Sequence, residues 1–113
     1  MKKFLVLYKA SPEAFAAAMK DSTPEQQKAG MDAWMNWSKK AATSLVDMGG
    51  PLGKSVSVAK GGNVSPIVND LGGYSLMQAE SKEALAATMK EHPHFMMVSG
   101  TIEIIEVMPI PGM

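Results

Sequence analysis

His92 and His94 are the two histidines of the chain, and His92 falls three residues after Met89 and seven after Leu85. On a helix that spacing aims His92 inward with both. Its ordinary pKa, about 6.5, suits it to carry a proton near neutrality. A position beside a helix carboxyl end favours the charged imidazolium. A general acid or base is therefore one reading of His92, and a half-buried helix-end histidine making one hydrogen bond is the other. His94, with Asp70 or Glu91, makes a poor metal set: residues flanking Pro93 converge only in an extended segment, and no third ligand follows at a recognisable spacing. No metal or other cofactor is expected.

Four further residues could hold a ligand beside His92. Trp34 and Trp37 are three apart on a helical stretch, which puts Trp34 on the inward face and Trp37 at its edge. Together they line a pocket for a flat apolar molecule, or they pack the core and an interface. Ser38 is polar on the apolar face and needs a partner, which its own helix can supply. Tyr8, at the end of an apolar strand, either orients a ligand or bonds across the sheet. Glu106 is a candidate buried carboxylate or the partner of a lysine. Met35, Met77, Met89, Met96 and Met97 could give a soft lining or fill an ordinary core.

The elements that must position these residues can be read in order. Lys3 to Lys9 is nearly all apolar, as in a central strand. Ser11-Pro12-Glu13 caps and opens a short helix ending near Asp21, and Thr23 with Gln26 opens a long one as a capping box. The apolar positions Met31, Trp34, Met35, Ala42, Leu45 and Val46 extend that helix to the Gly49-Gly50-Pro51 stop. Ser55–Lys60 and Tyr74–Glu80 read as two strands of one hairpin, joined by a glycine-bounded loop from 61 to 73 that could serve as a lid. Ser81 caps a third helix that runs to His92-Pro93, and Ile102–Met108 is the last strand. The order βααββαβ predicts a single ferredoxin-like α+β domain over residues 1–113, with a four-stranded antiparallel sheet and its helices on one face.

Composition excludes several roles. Lysine plus arginine and aspartate plus glutamate both number 11, without long runs of either sign, so neither nucleic acid nor an anionic membrane is an expected partner. There is no cysteine, which removes disulfides and thiolate chemistry and fits a reducing, cytoplasmic setting. The opening Met1-Lys2-Lys3 and apolar run imitate a signal peptide, but Lys9, Pro12 and Glu13 interrupt it too early. A chain of 113 residues buries only roughly two-thirds of its unfolded surface by itself, so association with a second copy is expected to help.

Several of these segments resemble the YCII-related family and its DGPF branch. The likeness rests on Phe4-Leu5-Val6-Leu7-Tyr8, the Trp34 to Gly50 segment, Gly73-Tyr74, Ser81-Lys82-Glu83-Ala84, and the closing Gly100 and Glu106-Val107-Met108-Pro109-Ile110. The resemblance implies a dimeric α+β barrel in which two sheets face each other. Where the DGPF branch carries its signature, this chain has Val64-Ser65-Pro66-Ile67-Val68-Asn69-Asp70, and Met108 stands where an arginine is usual. The family also implies a His-Asp pair; here those places hold Trp37 or Ser38 and His92.

The functional expectation is a cofactor-free enzyme acting on a small organic molecule. His92 would transfer the proton, and Tyr8, Trp34, Trp37 and Ser38 would line the site. The alternatives are a non-catalytic binding or accessory module, favoured by the lost His-Asp pair, and a cofactor-independent monooxygenase by fold analogy alone.

Overall fold

The computed structural model describes residues 1–112. Strand β1 (Lys2–Lys9) leads to helices α1 (Pro12–Asp21) and α2 (Pro24–Lys40). Strands β2 (Leu45–Pro51), β3 (Ser55–Val58), β4 (Val64–Ile67) and β5 (Leu71–Ala79) follow. Helix α3 (Lys82–Thr88), a 3-10 turn (Pro93–Met96) and β6 (Thr101–Glu106) complete the order. The helix starts form as their local chemistry requires. Ser11 Oγ accepts the Ala14 N–H at 3.1 Å, Thr23 and Gln26 exchange both bonds of a capping box, and Ser81 Oγ accepts the Ala84 N–H at 3.1 Å.

The main sheet has the order β2-β5-β1-β6, antiparallel throughout, which is the ferredoxin-like arrangement expected for the chain. The period of two in β1 sorts its residues cleanly between two faces. Phe4, Val6 and Tyr8 are buried on one face, opposite Met77, Ser75 and Gly73 of β5. There they join Leu85 and Met89 from the α3 segment in one core, with Trp34 and Trp37 of α2 packed against it. Each such apolar side chain contributes roughly 1.5–3 kcal/mol by leaving water. Leu5 and Leu7 point the other way, beside Leu76, Tyr74 and Ile105, and are only half-buried. The molecule is 19 Å across its thinnest direction, about the depth of one sheet and one helix layer.

Three boundaries differ from expectation. The long helix stops at Lys40, and Leu45 to Pro51 is a strand. Leu45 turns inward under either periodicity, so the sheet decides: Gln78 N–H donates to the Ser44 carbonyl at 2.8 Å and Ser75 Oγ to that of Met48 at 2.8 Å. Two irregularities in the β2–β5 register accompany this pairing. Gly49, at φ +73°, passes so close to β5 that a Cβ there would run into the Tyr74 carbonyl. The Ser55 strand pairs with β4 and not with the Tyr74 strand, as a separate two-stranded sheet. The stretch from 61 to 73 is therefore largely the turn and return of that hairpin plus the start of β5. Finally, α3 ends at Thr88, so His92 lies beyond it and caps the 3-10 turn.

Candidate functional site

Four aromatic rings meet where β1, α2 and the 3-10 turn converge. Tyr8 comes from the end of the covered face of β1, Trp34 and Trp37 from successive turns of α2, and His92 from the N-cap of the 3-10 turn. The His92 ring is 2 % exposed. It stacks on Tyr8 with centroids 4.8 Å apart and 28° between planes, and meets Trp34 and Trp37 edge to face at 4.5 and 4.2 Å. Tyr8 and Trp34 are themselves edge to face at 4.8 Å. Three of the four proposed lining residues are thus brought together around His92. Ser38 is not among them by hydrogen bonding: its hydroxyl donates to the Met35 carbonyl, 2.8 Å away on its own helix.

The hydrogen bonds fix the protons of this cluster. The His94 backbone N–H donates to His92 Nδ1 at 2.9 Å, so Nδ1 carries no proton and the neutral ring holds its hydrogen on Nε2. Nε2 is buried and has no hydrogen-bond partner. Burial, and secondarily the His94 ring, push the His92 pKa down to about 4. His92 is therefore an uncharged imidazole with an unused N–H donor at neutral pH. This corrects the expected imidazolium: α3 ends at Thr88, so His92 is not in its last turn, and burial dominates.

His94 resolves differently. Its Nε2 lies 2.7 Å from the Lys9 carbonyl, which can only accept, so that nitrogen donates. It ties the 3-10 turn to the end of β1. Tyr8 is equally committed. The single Ser75 proton goes to the Met48 carbonyl, so the Tyr8 hydroxyl must be the donor to Ser75 Oγ at 2.8 Å. Burial raises the Tyr8 pKa. Tyr8 thus presents a ring to His92 while its hydroxyl is spent across the sheet.

Ser75 and His94 are members of the site that sequence reasoning missed in this role. Ser75 acts through Tyr8 and Met48, distant in sequence, and His94 acts through a backbone N–H that any non-proline residue could supply, so neither carried a signal. Of the other candidates, Glu106 finds Lys2 at 3.8 Å, Met77 and Met89 fill the core, and Met35 and Met96 are exposed. Among the described residues no group of three or more His, Asp or Glu side chains could hold a metal ion. None of the described helices is long and apolar enough to cross a membrane.

No protein-family model matches the sequence, and no curated protein is recognisably similar to it. Solved structures do match. One is 5-chloro-2-hydroxyhydroquinone dehydrochlorinase (TftG) from Burkholderia phenoliruptrix AC1100, in complex with 2,5-dihydroxybenzoquinone. It is 16% identical, with a TM-score of 0.51, over 89% of this chain and 90% of that chain. Likeness at this level shows a shared fold: over nearly its whole length the chain has the ferredoxin-like α+β architecture on which TftG is also built.

Proposed function

We propose that this protein binds and processes a small, flat, oxygen-bearing organic molecule at His92, without a cofactor. The observation that carries this reading is the buried His92 Nε2–H, unpartnered and walled by Tyr8, Trp34 and Trp37. Buried donors normally find acceptors, and one left open is a mark of function. Aromatic walls select a flat ligand, and a neutral donor selects a carbonyl or phenolic oxygen over a cation. As the ligand's oxygen gains negative charge, the same N–H stabilises it and can move its proton toward it. A neutral histidine can serve as such an electrophile. The bound hydroxyquinone in the TftG complex belongs to the same chemical class, which supports the choice. Entry requires Trp37 and α2 to shift, and α2 has no fully buried residue to hold it down.

In the same reading two copies join through the open sheet faces bearing Leu5, Leu7 and Leu76, forming an α+β barrel in a reducing, cytoplasmic setting. A second reading is a binding or accessory module with no chemistry. Two observations favour it: the rings already fill the space around His92, and the Ser38 hydroxyl is bonded back to its helix.

Both tryptophans of the chain are in this cluster, so their fluorescence reports on it directly. Titration with hydroxylated quinones and phenols is expected to quench that emission and raise Tm. His92→Asn retains an acceptor for the His94 N–H and removes Nε2, so it should abolish the response. Turnover of a bound ligand that disappears in the variant supports the enzyme; binding without turnover in the native protein supports the module. Binding undiminished in His92→Asn would remove His92 from the site.

A further inference from the structure

The β3–β4 hairpin is a small sheet with nothing of its own chain to rest on. Its register, Val56 opposite Pro66 and Val58 opposite Val64, puts three valines and a proline on one face, with Ser55, Ser57, Ser65 and Ile67 on the other. Val56, Val58 and Val64 are 63, 67 and 61% exposed. Neither strand has another element as a substantial neighbour. An isolated two-stranded hairpin is marginal in water, and uncovered valines give it no reason to persist. Neither strand contains a charged residue that would keep such a face in solvent or suit it to nucleic acid or an ionic partner.

The rest of the molecule shows how much cover is missing. A compact monomer of this mass exposes about 6,000 Å². The chain, at 12.0 kDa, exposes 8234 Å². The excess, about 2,200 Å² per chain, is of the size that permanent homodimers bury between subunits. Its radius of gyration, 15.9 Å, likewise exceeds the roughly 13 Å of a compact domain of this length. The open sheet face is one part of that excess, and the hairpin is a separate part at the far end of β2 and β5.

We infer that the β3–β4 hairpin is an intersubunit arm, packing the Val56, Val58, Val64 and Pro66 face onto a second copy of this chain. The inference rests on the homodimer proposed above and adds to it a contact that sheet-to-sheet packing alone does not require. By two-fold symmetry each subunit both gives and receives an arm. The arm makes dimer formation and hairpin order one event.

The test replaces Val56, Val58 and Val64 together by threonine, which keeps the β-branched shape and adds a hydroxyl. On a solvent-facing hairpin the change is neutral; in a buried interface it weakens association by roughly 100-fold or more. Sedimentation across a concentration series reads the dimer Kd of native and variant chains. A native dimer with an unchanged Kd in the triple variant overturns the arm while leaving the dimer intact. A native chain that is monomeric at all concentrations overturns the dimer and the arm together. A second measurement does not depend on the variant folding. Amide exchange in residues 55–58 and 64–67 of the native protein should slow as the dimer forms, and unprotected exchange in a fully dimeric sample contradicts the inference.

Discussion

Strand β1 shows two faces of similar apolar content and different fates. Phe4, Val6 and Tyr8 are sealed by α2, α3 and the 3-10 turn, whereas Leu5 and Leu7, one residue out of phase, remain half-exposed beside Leu76 and Tyr74. One face is finished by the chain's own helices. The other carries Leu5, Leu7, Leu76 and Ile105 between charged residues such as Lys9 and Glu103, and these apolar side chains stay only partly covered within the subunit. The difference teaches that the aromatic site around His92 belongs to the part of the fold each chain completes alone, while the open face is the part that the proposed second copy would cover.

Substituting along β1 should break this symmetry of composition. Phe4→Ala, on the sealed face, is expected to cost about 3–5 kcal/mol in urea unfolding, independent of protein concentration. Leu7→Asp, on the open face opposite Glu103 and Tyr74, should leave the subunit core alone and act on association instead. Its unfolding midpoint should then vary less steeply with protein concentration than the native protein's does. Equal, concentration-independent losses from both variants would mean that the two faces do not differ in the way described.

A smaller effect sharpens the account of the sealed face. His92 titrates at about 4 when folded against 6.5 when exposed. The unfolded chain therefore takes up the proton first. His92's stabilising contribution is complete above pH 6.5 and is lost as pH falls toward about 4, where it levels off. The loss is on the order of 2 kcal/mol after allowance for partial screening. His92→Asn should remove that segment of the stability-pH curve, and a curve of unchanged shape in the variant would assign the dependence elsewhere.

Much of the fold was legible because its signals are local. Ser11, Thr23 with Gln26, and Ser81 mark helix starts through bonds that span three residues, and the apolar run in β1 needs no partner to be recognised. What failed depends on pairing at a distance. Leu45 faces inward whether its segment is helix or strand, and only β5 makes it a strand. Val56 and Val58 alternate as a strand should, but the sequence does not say which strand they join. The Gly61-Gly62 pair, both at positive φ, was the available clue to a tight return. The site was legible in its members and not in its charge. The inward face of Trp34 with Trp37 at its edge follows from their spacing, whereas His92 points inward as the cap of the 3-10 turn and not as a helical residue. Its neutrality follows from its burial, and its tautomer from the His94 N–H that occupies Nδ1.

The most direct test is NMR of the isotope-labelled histidine rings across a pH titration of the native protein. The account requires His92 to be neutral at pH 7 with its proton on Nε2, and to protonate only near pH 4. A His92 ring that carries its proton on Nδ1, or that becomes imidazolium near its ordinary value, would contradict the claim that an unspent N–H donor lies at the centre of this site.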